Sequence, residues 1–309
     1  MIHTLTLNPA IDKLLFLDKF KKNITNRLRS NDDSLGGKGT HVSVNLKSLG
    51  IDNTAFGISY GQTGRKIIHM LSKSGVNVQF IHRDESDSRI NYILIEDNGD
   101  CSTFASGGIY LDKETIDELI NRMLPELKEN DSLILSGDTS NCFDPCVYNY
   151  IINKLKPLSL RIYFDASGPT LRECLNEFPF LIKPNLDELS QLCDRELRTD
   201  SEIIDAISSL DRYHINIVAV SLGENGSIVK CSDSLYRAIP PKVKVLNTIG
   251  CGDCYLSGMI YGIEKKYDME QTLRFATAIS AATAESESSV GFNLQRAQEL
   301  MPMVTIKKI

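Results

Sequence analysis

In the stretch NTIGCGDCYLSGMIYG, residues 247–262, two glycines flank a cysteine, an aspartate follows, and an apolar helix-like run begins. Gly250 and Gly252 let the backbone turn tightly with no side chain in the way. Amide hydrogens at the following helix start can then point at an anion, and the helix dipole favours negative charge there. A carboxylate beside such a cradle, Asp253, could take the proton of an attacking hydroxyl. Phosphoryl transfer needs both parts, stabilised negative charge and an oriented nucleophile. The local string suits equally well a glycine turn with Asp253 as the helix cap. Cys251 and Cys254 form a C-x-x-C pair, a spacing that can signal redox or metal chemistry. Nothing else in the chain resembles a thioredoxin-like unit, so packing by two small residues is the simpler reading.

A second glycine turn, GGKG at 36–39, also leads into a helix-like run. It is not a Walker A loop. That motif needs glycine where Asp32 stands, and its hydroxyl residue one place before Thr40. What remains is Lys38 at a helix start, which suits a phosphate or a sugar hydroxyl, or is an exposed lysine in a turn. Cys142 and Cys146 have no Cys/His cluster nearby and read as ordinary thiols rather than a zinc site.

These residues must be positioned by an α/β frame. IHTLTL opens as a strand, NTAFGISYG is a second, and the helical GRKIIHMLSKSG stops at Gly75. From residue 111 helix and strand alternate, which predicts a mostly parallel sheet with helices on both faces. SIVKCSDSLYRAIPPKVKV reads as further β structure near the edge, and two helices, DCYLSGMIYGIEKKY and MEQTLRFATAISAATAESES, close the chain. Between about 87 and 107 the pattern becomes strand-only around Asn98-Gly99, a strong hairpin signal. With residues 11–33 it predicts a small antiparallel piece, a lid or dimer surface mounted on the main sheet. Ligands on such sheets bind beyond the carboxyl ends of the strands. Those ends carry SGD (136–138), DASG (165–168), KPN (183–185), SLGENG (221–226) and TIGCGD (248–253).

Bulk properties narrow the class. The 309 residues are 42% hydrophobic and 24% charged, with a formal net charge of −6. A disordered or fibrous chain does not fit, and a nucleic-acid partner has no global electrostatic support. No run reaches the roughly 20 apolar residues of a membrane span, and the N-terminus lacks a signal-peptide pattern. Eight scattered cysteines suggest reduced thiols and a cytoplasmic protein.

Taken in order, these motifs make the whole chain resemble the ribokinase-like (PfkB) carbohydrate kinases. TLNPAID (6–12) and GGKG are similar to the phosphosugar branch that contains 1-phosphofructokinase and tagatose-6-phosphate kinase. KPN with Glu188, SLGENG and NTIGCGD resemble the wider family. The resemblance implies a single ribokinase-like domain over 1–309, a three-layer α/β sandwich with a small antiparallel β lid. It implies that Asp253 is the base and that the amides of Gly250, Cys251 and Gly252 form an anion hole. Asp12, Gly37, Lys38 and His41 fall at sugar-binding positions. Arg89 falls at the lid arginine that meets the phosphate already on the substrate, a task suited to a guanidinium fork. Lys183, Asn185, Ser221, Gly223 and Gly226 fall at nucleotide positions, and Glu188 at one that acts on magnesium through water.

The chain departs from the family pattern at His41, where the branch usually has asparagine, and at Cys251 and Cys254, usually alanine and serine. SGDTSN (136–141) and STFASGG (102–108) also differ from the usual strings; these bear on substrate choice, not transfer chemistry. The implied reaction uses ATP and Mg²⁺ on a ketohexose phosphate, with fructose 1-phosphate to fructose 1,6-bisphosphate first, tagatose 6-phosphate second and fructose 6-phosphate third. A monovalent-cation requirement stays open, and a homodimer through the lid is expected. A catalytically silent sugar-phosphate or nucleotide sensor is the reading from a different class. A thiol oxidoreductase using Cys251 and Cys254 is another.

Overall fold

The runs SLILS, RIYFD and IVAVS are too short for helices and too apolar for half-solvated strands, so they need cover on both faces. The computed structural model describes residues 1–309. The first half contains β1 (Ile2–Thr6), β2 (Ala10–Leu17), β3 (Ser30–Gly36), α1 (Lys38–Ser48), β4 (Asn53–Tyr60), α2 (Gly61–Lys73), β5 (Asn77–Arg83), β6 (Arg89–Glu96), β7 (Cys101–Phe104) and α3 (Lys113–Met123). Next come β8 (Ser132–Ser136), α4 (Val147–Leu155), β9 (Arg161–Asp165), α5 (Gly168–Cys174), β10 (Leu181–Ile182), α6 (Leu186–Leu192), α7 (Asp200–Ser209) and β11 (Ile217–Ser221). The chain ends with β12 (Ser227–Cys231), β13 (Ser234–Ile239), α8 (Cys251–Glu264), α9 (Met269–Ala284), α10 (Leu294–Leu300) and β14 (Thr305–Lys308).

The main sheet has ten strands in the order β14-β13-β12-β11-β10-β9-β8-β1-β4-β5. From β11 to β5 every neighbour is parallel, and from β11 to β14 every neighbour is antiparallel. Successive strand residues alternate between two cores. Leu133, Leu135, Ile162, Phe164, Val218 and Val220 pack with α3, α4, α6 and α7. Ile134, Tyr163, Ile217 and Ala219 pack with α1, α8 and α9. This is the three-layer α/β arrangement expected. No helix is long and apolar enough to cross a membrane.

A second sheet, in the order β3-β2-β6-β7, forms the lid. Its outer pairs are antiparallel and its central pair, β2 with β6, is parallel. Asn98 and Gly99 stand at the β6–β7 turn, and Gly99 has φ of +89°.

One expectation is corrected. The chain does not close on two helices: α10 and β14 follow α9. Ala297 and Leu300 of α10 join Ala278, Ile279 and Ala282 of α9 in a small core, and β14 pairs antiparallel with β13. The seven residues of α10 span too few turns to show a helical period in sequence.

Candidate active site

Beyond the carboxyl ends of the parallel strands lies a cleft of about 440 Å³. Asp12, Gly37, Lys38, His41, Arg89, Lys183, Asn185, Glu188, Ser221, Gly250, Gly252 and Asp253 all line it, although they come from segments spread over most of the chain. Gly223, Gly226 and the side chain of Cys251 do not. Gly226 shapes the β11–β12 turn, where a β-carbon would meet the Ala238 carbonyl at 2.0 Å.

Gly250 caps the start of α8 in the left-handed region, φ +79°, and a β-carbon there would meet the Ser289 carbonyl at 2.0 Å. Only glycine satisfies both demands. The amides of Gly250, Gly252 and Asp253 have no protein acceptor, and that of Cys251 has only a 3.4 Å contact with the Thr248 carbonyl. The helix thus presents a run of free donors to the cleft. Asp253 is not the helix cap; it is the third helical residue, and its side chain makes no capping bond. Its carboxylate Oδ2 lies 2.7 Å from His41 Nδ1, while His41 Nε2 lies 2.8 Å from the Leu35 carbonyl. His41 is 4% exposed, so it forms the cleft wall with both ring nitrogens already engaged by the protein.

Opposite, two lysines converge on one buried carboxylate. Lys38 Nζ is 2.9 Å from Asp165 Oδ1 and Lys183 Nζ is 3.2 Å from Oδ2. Burial pushes the Asp165 pKa up, but Lys183 and Lys38 outweigh it and hold the carboxyl below the ordinary aspartate range. Burial pushes Lys38 down, and Asp165, Glu188 and Asp253 more than offset that. A β-carbon placed on Gly252 would stand 3.5 Å from Lys183 Nζ, so this ammonium sits against the free amides. Asp165 escaped the sequence reading because DASG looks like any strand-end turn and its partners lie far away in the chain.

KPN has a local explanation too. Asn185 caps α6, accepting from the Glu188 amide at 2.8 Å, and Glu188 Oε2 accepts from the Asn185 amide at 2.8 Å. This capping box leaves Glu188 Oε1 as its free oxygen, 3.9 Å from Lys38 Nζ.

On the lid side, Asn91 Nδ2 donates to Asp12 Oδ1 at 2.7 Å. Burial raises the Asp12 pKa, with His41, Asn91 and Arg89 working against it. Arg89 donates through Nε and Nη2 to the Asn8 carbonyl at 3.1 and 2.9 Å. Asn8 and Asp138, joined at 3.3 Å, also line the cleft and were not singled out by sequence. All eight cysteines are free thiols. Burial, then the Asp253 charge, pushes Cys251 up to about 12, and burial pushes Cys254 higher still, so neither is a ready thiolate.

The cleft therefore offers free amides and ammonium groups to a polyanion, with a carboxylate at the edge of the cradle. Comparison with known proteins gives the family and the fold. The family model described as pfkB family carbohydrate kinase matches residues 5–295. A 1-phosphofructokinase from Borreliella burgdorferi is 32% identical over 285 residues, 92% of each chain. A tagatose-6-phosphate kinase from Staphylococcus epidermidis is 29% identical over 312 residues, covering all of both chains. In fold, the chain superimposes on Escherichia coli phosphofructokinase-2, solved with substrates and products, with a TM-score of 0.91 over 98% of each chain at 24% identity.

Proposed function

The chain belongs to the pfkB family of carbohydrate kinases, and from that premise we propose that it phosphorylates a ketohexose phosphate with ATP, fructose 1-phosphate giving fructose 1,6-bisphosphate. The observation that carries this reading is Asp253 on the first turn of α8, beside amides that have no protein acceptor, one of which, at Gly252, lies near the Lys183 ammonium. In this reading the substrate hydroxyl gives its proton to Asp253. Its oxygen bonds to the γ-phosphorus as the bond to the bridging oxygen breaks and ADP leaves. The amides of Gly250, Cys251 and Gly252, with Lys183, accept the charge that develops.

Asp12 and Asn91 would receive sugar hydroxyls. Arg89, whose guanidinium now holds the Asn8 carbonyl, would meet the phosphate already on the sugar. Lys38 and Gly37 complete the sugar wall, while Asn185, Ser221, Gly223 and Gly226 shape the nucleotide side. The donor set fits magnesium held loosely: Glu188 keeps one free carboxylate oxygen in the cleft, which suits a contact through water. When bound, that ion neutralises the β- and γ-phosphates. Tagatose 6-phosphate is the second reading, favoured by the relative of that name that matches the full chain. Two chains would pair through their lids.

A panel of fructose 1-phosphate, tagatose 6-phosphate and fructose 6-phosphate, read by ADP release, tests the assignment. Fructose 1-phosphate should give the highest kcat/KM, and Asp253→Asn should lower kcat by of order a hundredfold or more. Unchanged turnover in that variant would remove Asp253 as the base.

A further inference from the structure

His41 stands where the phosphosugar branch usually has asparagine, and its contacts fix a proton count. The Leu35 carbonyl has no hydrogen to give, so Nε2 must donate to it across 2.8 Å. At Nδ1, 2.7 Å from Asp253 Oδ2, a hydrogen must also lie between the two atoms. A neutral imidazole and an ionised carboxylate would set two lone pairs against each other. An imidazole is intrinsically a stronger base than a carboxylate, so the shared proton stays on the ring.

We propose that His41, as an imidazolium, is a positioning residue for the base. It locks one oxygen of Asp253, leaves the other to the substrate hydroxyl, and ties that carboxylate to lid strand β3 through Leu35. This deepens the kinase reading and rests on it for the role of Asp253. Turnover then requires His41 protonated as well as Asp253 ionised. The charged groups acting on the ring are Asp253 on α8 and Asp12 on β2, and the Leu35 carbonyl meets it from β3. Burial works against the charged ring, but Asp253 first, then Asp12 and the Leu35 carbonyl, more than offset it and hold the pKa above the ordinary histidine value. Activity should therefore fall on the alkaline side as His41 loses its proton and one of its two bonds loses its hydrogen.

The arrangement also separates His41 from a sugar contact. Its nitrogens are both taken, so the usual asparagine's role toward substrate is not available to it without breaking a bond to Asp253 or Leu35. Replacement should act on kcat more than on KM for the sugar.

The test has two arms. Nitrogen NMR of the ligand-free protein labelled at its five histidines should show one ring with both nitrogens protonated at about pH 8, where an unperturbed imidazole is neutral. That signal should titrate at lower pH in Asp253→Asn. In the kinetic arm, His41→Asn keeps one donor for Asp253 and loses the Leu35 bond. Its kcat should fall of order ten- to a hundredfold, its KM for the phosphosugar should move less than about threefold, and the alkaline limb of its pH profile should vanish. A singly protonated His41 at pH 8 overturns the proposal. So does a rise in sugar KM at unchanged kcat, or an alkaline limb that survives in His41→Asn. Because the NMR arm uses no substrate, failure of every phosphosugar in the panel would sink the kinase assignment while the ring titration still decides on the ion pair.

Discussion

At the scale of single residues, the site is an exercise in paired burial. Asp165 is 1% exposed and holds two ammonium groups, one of them, Lys183, itself 4% exposed. Removing one member of a buried ion cluster leaves the others uncompensated, at a cost of about 3–5 kcal/mol. Asp165→Asn should therefore lower the unfolding free energy at pH 7 by several kcal/mol in a urea titration. The sign with pH follows from the depressed carboxyl. Its stabilisation is present in full above the unfolded value of about 3.9 and is lost as pH falls through the lower folded value. The gap between wild type and variant should close as pH drops below about 4; a gap constant with pH would show that the two lysines do not stabilise the charge. This triad also marks a limit of reading from sequence. Lys38 and Asp253 drew notice because glycines surrounded them. Asp165 is simply the last residue of β9 and Asn8 lies in the short link between β1 and β2, and the engagement of His41 with Asp253 spans 212 positions, beyond any local pattern.

At the scale of elements, what aims Asp253 is the seating of α8 on α9. The seam is made by small residues: a β-carbon on Gly258 would lie 2.6 Å from the Ala276 α-carbon, a backbone atom that has little room to yield. Gly258→Val gains some helix propensity but must push the two helices apart. Overpacking of this kind costs about 1–3 kcal/mol, more than the few tenths of a kcal/mol returned by the better helix former. A lowered Tm is expected together with a reduced kcat, since the first turn of α8 moves with its seat. An unchanged Tm would mean that the seam opens freely. Elements with strong local signals were legible: the glycine stop at Gly75, the Asn98-Gly99 hairpin, and the apolar central strands. Those missed are weak for physical reasons. β5 is an edge strand with only Phe80 and Ile81 fully buried, and α5 and α10 have seven residues each, too few for a period to emerge.

At the scale of the whole molecule, the parallel frame was readable because buried strands and amphipathic helices alternate along the chain, and the order of the strand-end motifs already implied one cleft. The lid poses the remaining question, because as a four-stranded sheet it leaves β3 and β7 unpaired at its edges, and exposed strand edges are usually covered. Its outward face is also apolar: Tyr92 and Phe104 are directly opposed across β6 and β7, 44% and 54% exposed. Phe20, Ile24 and Leu28, in the segment between β2 and β3, are exposed as well. A second copy of the lid laid on this face would bury these side chains, as the proposed homodimer requires. Phe104→Asp sets a carboxylate at the centre of that contact, where an unpaired buried charge is strongly unfavourable. Sedimentation at micromolar concentration should then read two chains for the wild type and one for the variant. A monomeric wild type, or a variant that stays dimeric, would assign the exposed lid face another role. If the dimer holds the lid, its loss should also raise KM for the phosphosugar, because Arg89 and Asn91 begin the strand that carries Tyr92.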